Sequence, residues 1–240
     1  KVEKEELGGS HIHARGSGAV DNEVASEEEA FEQIRRFLSY LPSSVYEVPP
    51  RIESEDDPER REEALLSFIP RDRRKVYAAR KLVSLVVDRD SFFEMGRFYG
   101  RPLITGLARI DGIAVAVMAN DPRFAAGSID ADAAEKMTRF VDLCDTFRLP
   151  VVNFVDNPGF LVGVEAEKRG TIRKGVRALG AVYQATTPWC SIIVRKAFGV
   201  AGAGHVNHTR SSPRYAWPSG EWGSLPIEGG VEAAYKRRLQ

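Results

Sequence analysis

Two strand-like apolar runs, "LPVVNFV" from Leu149 and "WCSIIV" from Trp189, each follow a stretch of helical periodicity. That order constrains this chain more than any other feature. A short run without polar alternation reads as a strand buried on both faces. "DADAAEKMTRFVDLCDTF" puts Ala133, Met137, Phe140, Val141, Cys144 and Phe147 on one helical face, and "EAEKRGTIRKGVRALGAVYQAT" reads as helical. Upstream, "LITGLARIDGIAVAVMAN" holds two β-rich runs around Asp111-Gly112, a dipeptide that suits the positive φ angles of a tight hairpin. Strand, helix, strand, helix, strand predicts an α/β lobe with right-handed crossovers and a largely parallel sheet. Ligands in such folds gather beyond the carboxyl ends of the strands. The loops there are "DNPGFLVG" and "RKAFGVAGAGH".

The rest of the chain is organised around this lobe. "SEEEAFEQIRRFLSYLP" places Ser26 and Glu29 in capping-box spacing, with an apolar stripe of Phe31, Ile34, Phe37, Leu38 and Leu41. From Pro42 to Arg74, five prolines stand among dense charge such as "ESEDDPERREE", which reads as a solvated linker between two lobes. A helix is expected near Val76 to Val87. No internal repeat is evident.

Composition excludes several classes. Lys plus Arg and Asp plus Glu each total 34, so a net charge of zero offers no pull toward nucleic acid or an anionic membrane. The apolar run "IAVAVMA" is far short of the roughly 18 to 20 residues of a spanning helix. "KVEKEELGG" lacks a signal pattern and an initiating Met, and reads like the middle of a protein. Cys144 and Cys190, in apolar contexts, suit a reducing compartment rather than a disulfide framework. His205 and His208 have a spacing that a metal tolerates, but no Cys or carboxylate nearby completes a set, so no metal is expected.

The two loops carry the chemistry. Gly199, Ala201, Gly202, Ala203 and Gly204 leave the backbone bare after a buried strand, which fits either a tight strand-to-helix turn or amides offered to an anion. Their G-x-x-G-x-G order reverses the dinucleotide fingerprint, and no Gly-Lys-Ser/Thr follows for a phosphate loop. Pro158 and Gly159 make a sharp reversal that is expected to leave Asp156 and Phe160 at the mouth of the site. No nucleophile elbow and no histidine in a base context is present, and Glu165 with Glu167 reads as a solvated helix start. What remains is electrostatic stabilisation by backbone amides.

The motifs "EELGG", "DADAAEKMTRFVDLCD", "LPVVNFVDNPGFLVGVEAEKRGTIRKG", "VRKAFG" and "AWPSGE", in this order and spacing, resemble the carboxyltransferase subunits of biotin-dependent acyl-CoA carboxylases, the propionyl-CoA and methylcrotonyl-CoA carboxylase β-subunit family. The resemblance covers nearly the whole chain. It implies the crotonase-type superhelical ββα fold, of class α/β. Residues 1–41 would be the end of an N-terminal carboxyltransferase domain, 42–75 a linker, and 76–240 a C-terminal carboxyltransferase domain that stops short of its usual end. The implied reaction moves the carboxyl group of carboxybiotin to the α-carbon of an acyl-CoA. One oxyanion hole, in the N-terminal domain, would hold the thioester enolate, and its segment would lie before Lys1. The other would hold the biotin ureido oxygen, and the freed biotin nitrogen would take the α-proton.

Carried onto this chain, the second hole falls on the backbone amides of Val200 and Ala201, with Gly199, Gly202, Gly159 and Phe160 around the cofactor and Ala203 facing the acyl group. Arg195 and Lys196 would pack or pair structurally. The chain departs from the family where Val200 replaces a glycine, so Val200 must hold a negative φ to keep its amide in place. "AGHVNH" rewrites the helix that follows, and "EWGSLPIEGG" varies the usual ending. Small residues at Gly202 and Ala203 predict a deep acyl pocket favouring chains longer than acetyl. Implied partners are a biotin carboxylase and a biotin carboxyl carrier subunit, with a hexamer of this chain, and neither nucleic acid nor membrane. The expected compartment is bacterial cytoplasm, or the mitochondrial matrix of a eukaryote. Two alternatives share the motifs: a decarboxylase or transcarboxylase of the same fold, and a non-catalytic paralogue.

Overall fold

The computed structural model describes residues 2–207, 210, 212–226, 230 and 232–239. In chain order the helices are α1 (Lys4–Gly8), α2 (Glu27–Ser39), α3 (Ala79–Val86), α4 (Ala131–Thr146), α5 (Val164–Lys168), α6 (Thr171–Gln184), α7 (Gly199–Ala203) and α8 (Glu232–Leu239). The strands are β1 (Phe93–Met95), β2 (Leu103–Ile110), β3 (Ile113–Asn120), β4 (Val151–Asn157), β5 (Trp189–Phe198), β6 (Arg214–Ala216) and β7 (Glu221–Gly223). They form one sheet in the order β1-β2-β3-β4-β5-β6, with β7 also pairing β5. The two pairings among β1, β2 and β3 are antiparallel, and every pairing from β3 onward is parallel.

The alternation of side chains explains how this sheet is buried on both faces. Along β3, Ala114, Ala116 and Met118 face a core shared with Ala133, Met137, Phe140 and Val141 of α4 and with Ala178 and Val182 of α6. Val115, Val117 and Ala119 face a second core with Leu82 and Val83 of α3. The expected α4 face is buried except for Phe147, which packs at its margin. The stretch read as one helical segment is two helices, α5 and α6, because Gly170 between them takes φ 70° and breaks the backbone run.

Helix α2 starts as its sequence demands: the Ser26 side chain accepts from the Glu29 N–H at 3.2 Å. The Glu29 carboxylate reaches one residue further back than a capping box requires and accepts from Ala25 N–H. Of its apolar stripe only Phe37 and Leu41 reach the core, whereas Phe31, Ile34 and Leu38 remain more than half exposed. The segment 42–75 contains no strand and one short 3-10 turn, Glu63–Ser67.

That segment is nevertheless anchored on the hairpin. Asp111 and Gly112 take φ 53° and 72°, as expected, and both their N–H groups donate to the Asp88 carboxylate at 2.9 Å. Ile52 N–H then donates to Gly112 O at 3.1 Å. A Cβ on Gly112 would lie 1.9 Å from Ile52 O, on top of an unfavourable φ. Gly112→Ala is therefore expected to destabilise the chain by at least about 1 to 2 kcal/mol, read as a lower midpoint in denaturant titration. An unchanged midpoint would show that the linker yields freely at this contact.

Candidate functional site

Sheet geometry brings the two loops together. Strands β4 and β5 pair in register from Val151↔Trp189 to Val155↔Ile193, then shift, so that Asn157 pairs with Ala197. Asp156 sits in this irregularity. It is fully buried, not at the site mouth as the turn suggested, because it neutralises the equally buried Arg195. Arg195 Nε lies 3.2 and 3.1 Å from its two oxygens, and a second guanidinium nitrogen lies 2.9 Å away. Lys196 N–H and the Tyr77 hydroxyl also donate to Asp156, and Arg195 donates to Lys75 O at 2.8 Å. Burial, and then the Asp156 charge, raises the Tyr77 phenol well above its ordinary range, which keeps it a donor. Arg195 thus pairs structurally, as expected.

Beyond this pair the chain turns sharply on both strands. Gly199 takes φ 62°, a conformation that a side chain would strain, and opens α7. Val200 and Ala201 fall in the first turn of that helix, where backbone N–H groups have no intrahelical acceptor. Val200 is not among the residues with positive φ, which is the backbone condition that a side chain at this position requires. Its side chain is 65% exposed, whereas Ala201 is buried. Gly159 faces this turn across the gap: a Cβ built there would have Phe198 O as its nearest neighbour, at 4.0 Å.

Not every small residue serves an open site. A Cβ on Gly202 would meet the Ala197 carbonyl carbon at 2.4 Å, so Gly202 is small to let α7 lie on the end of β5. Room for an acyl chain therefore cannot be inferred from Gly202. Ala203 is exposed, whereas Phe160 is turned inward, with its ring over Gly175 of α6. A third loop joins them: Ile129 N–H donates to Gly159 O at 3.1 Å and Leu161 N–H to Ile129 O at 2.9 Å. Just before it, Ala125 and Ala126 hold φ 45° and 54°, strain of a kind that gathers at working sites.

His205, read only as half of a doubtful metal pair, is the residue that sequence reasoning missed. It is 1% exposed and wedged between Asn153 and Asn157, whose amide nitrogens lie 2.9 Å from Nδ1 and 2.8 Å from Nε2. No metal-ligating cluster occurs among the described residues, and His208 lies outside them, as does part of "EWGSLPIEGG". The signal available in the sequence was the polar trio Asn153, Asp156 and Asn157 inside a strand too apolar to leave them in water. Cys144 is fully buried, and its thiol is pushed above the ordinary range by burial, so it is no thiolate. Glu165 is solvated and pairs with Lys168 on the same helix. A cavity of about 1240 Å³ lies between residues 17–21, α4 and the start of α6, and none of Gly159, Phe160, Val200 or Ala201 lines it.

The carboxyl transferase domain family matches residues 1–240. The chain belongs to this family. Within the carboxyl transferase family, it is 39% identical to a propionyl-CoA carboxylase carboxyltransferase subunit of Haloferax mediterranei, covering all of this chain and 47% of that protein. It is 36% identical to a methylmalonyl-CoA decarboxylase subunit alpha of Veillonella parvula, covering 99% of this chain and 47% of that protein. Among solved structures, a transcarboxylase 12S hexamer with methylmalonyl-coenzyme A bound superposes with a TM-score of 0.94 at 32% identity, over 100% of this chain and 47% of that one. The fold is the crotonase-like carboxyltransferase fold. The chain spans about half the length of the curated relatives it matches.

Burial, reinforced by the Arg214 charge, pushes the His205 imidazole down from 6.5 to about 4. The native state then binds fewer protons than the unfolded chain between those values. His205 should therefore contribute stability that is fully present above pH 6.5 and lost as pH falls to about 4, on the order of 3 kcal/mol in all. Denaturant midpoints across this range should fall more steeply for the natural chain than for His205→Gln; parallel curves would show that His205 titrates normally.

Proposed function

We propose that this chain is part of the carboxyltransferase component of a biotin-dependent acyl-CoA carboxylase. One observation carries the reading: Val200 and Ala201 stand in the first turn of a helix that follows β5 directly, neither holds a positive φ, and Gly159 lies across from the end of that strand at Phe198 O. Carboxybiotin, when bound, supplies the carboxyl group. The surface is open for a flat ring system to approach: apart from its own chain neighbours, a Cβ on Gly159 would have Phe198 O at 4.0 Å as its nearest neighbour, and one on Gly199 would have Ser224 O at 3.7 Å. In this reading the two amides hold the ureido oxygen as negative charge develops on it. Gly159 and Gly199, with Gly202 and Phe160 behind them, shape the surface, while exposed Ala203 faces the acyl group. No side-chain base is required of this half of the site.

Within this proposal, residues 1–41 end an N-terminal carboxyltransferase domain, 42–75 link, and 76–240 form the C-terminal domain; the whole sheet, Phe93–Gly223, falls in the last. The enolate hole belongs to the segment preceding Lys1. A biotin carboxylase and a biotin carboxyl carrier subunit are the proposed partners, with other copies of this chain in a hexamer. Val162, Val164 and Val200, 78%, 71% and 65% exposed near the site, support its coverage by a second copy. Among the described residues no helix is long and apolar enough to cross a membrane. The proposed compartment is bacterial cytoplasm, or the mitochondrial matrix if the source is eukaryotic. The resemblance to a methylmalonyl-CoA decarboxylase subunit favours a second reading, the same transfer run toward decarboxylation, which the direction of flux with the carrier present distinguishes.

Ala201→Pro removes one amide donor at a first-turn position that tolerates proline. In the full-length protein it should lower carboxyl transfer roughly 100- to 1000-fold, the usual loss for one oxyanion donor. A folded variant with undiminished transfer would remove the hole from these amides. Ala203→Ile should shift kcat/KM toward propionyl-CoA over a six- to eight-carbon acyl-CoA, by about fourfold for each methylene displaced. An unchanged ratio would show that Ala203 does not meet the acyl chain.

A further inference from the structure

Three side chains buried between the candidate loops take no part in the reaction as proposed, yet they connect both halves of the site. Asn153 and Asn157 lie four residues apart on β4, both fully buried, and their side chains meet the two ring nitrogens of His205. His205 follows α7 by two residues, and the Gly204 N–H between them donates to Val200 O and Ala201 O at 3.0 and 3.2 Å. At the other end, Asn157 Oδ1 accepts from Gly159 N–H at 2.9 Å. Hydrogen bonds therefore run from the turn at Gly159 through Asn157 to the imidazole, and the backbone from His205 through Gly204 carries the connection on to the helix that presents the Val200 and Ala201 amides.

The chemistry of the path assigns the ring protons. Asn157 Oδ1 is occupied by Gly159, so the Asn157 amide nitrogen donates to Nε2, which must then be unprotonated. The neutral ring then carries its proton on Nδ1; the Asn153 amide nitrogen 2.9 Å away is itself a donor, so accepting that proton requires the Asn153 amide to turn its Oδ1 toward the ring. With its amide nitrogen toward Nδ1 and, at 3.2 Å, toward His205 O, Asn153 leaves Oδ1 as the one buried side-chain polar atom among the described residues without a hydrogen-bond partner, and the turned amide gives it one. Burial favours this neutral form. The His205 carbonyl is itself held by Trp189 Nε1 at 3.0 Å and by the Ser191 hydroxyl, which fixes the backbone behind the ring to β5.

We infer that His205 is a positioning residue: its neutral imidazole, clamped between Asn153 and Asn157, sets the α7 amides of Val200 and Ala201 against the turn at Gly159. The catalytic consequence rests on the carboxyl-transfer reading, while the clamp itself does not. A misplacement of an ångström in such a site costs about 100-fold in rate, so loss of the clamp should appear in kcat.

The test uses the full-length protein and two variants. His205→Leu fills the space but accepts nothing, whereas His205→Gln offers an oxygen near the position of Nε2 and keeps the bond from Asn157. Leu is expected to lower kcat for carboxyl transfer about 100-fold with KM for acyl-CoA within about twofold. Amide hydrogen exchange should rise at 157–161 and 199–204 while β2 and β3 stay protected, and Gln should recover most of both effects. In the natural protein, imidazole nitrogen shifts should show Nε2 unprotonated and Nδ1 protonated. The inference is overturned if Leu leaves kcat and local exchange unchanged, if exchange rises evenly across the sheet, or if a folded Gln variant behaves like Leu. A natural protein that transfers no carboxyl group, yet shows the localised exchange response, would sink the functional reading and leave the clamp standing.

Discussion

The buried ion pair of Asp156 and Arg195 is the interaction on which the rest of this arrangement depends. Past Val155 and Ile193 the ladder between β4 and β5 shifts its register before Asn157 pairs with Ala197, and the break falls at Asp156. Asp156 holds the strands there by accepting from Arg195, from Lys196 N–H and from Tyr77 at once. Removing two charges from water costs several kcal/mol for each, and only near-ideal geometry offsets it. Any slipped alignment would leave a buried charge unpaired, at about 3 to 5 kcal/mol. The pair therefore acts less as a source of stability than as a constraint on position.

Above that constraint, the small residues of "FGVAGAG" divide into two kinds. Gly199 is a glycine because the backbone must turn through a positive φ, which releases the amides that follow from strand pairing. Gly202 is a glycine because the Ala197 backbone already occupies the place of a side chain. The first kind opens a surface and the second presses the helix onto the sheet. In the proposed reading both serve to hold a backbone amide open and immobile together, which is what electrostatic preorganisation asks of a donor.

A hole built from amides is neutral toward the direction of reaction. In the proposed reading it would stabilise the same developing anion whether a carboxyl group arrives or departs, which accords with similarity to relatives named for carboxylation and for decarboxylation at 39% and 36% identity. Direction then belongs to the free energy of the coupled half-reactions rather than to the geometry of this turn.

The sequence by itself determined the α/β class, the hairpin at Asp111-Gly112, the buried face of α4 and the two loops that meet, because these follow from periodicity and turn chemistry between near neighbours. It also carried the family, through ordered motifs that span the chain. Only the tertiary structure decided that Asp156 turns inward to Arg195, that Gly170 divides one helical stretch into two, and that the stripe on α2 stays largely in solvent. It alone showed that His205 closes on Asn153 and Asn157, because those partners are 52 and 48 residues away. A buried polar side chain advertises in the sequence that it needs a partner, but which one it finds depends on how the strands align, and that alignment is set by packing over the whole sheet.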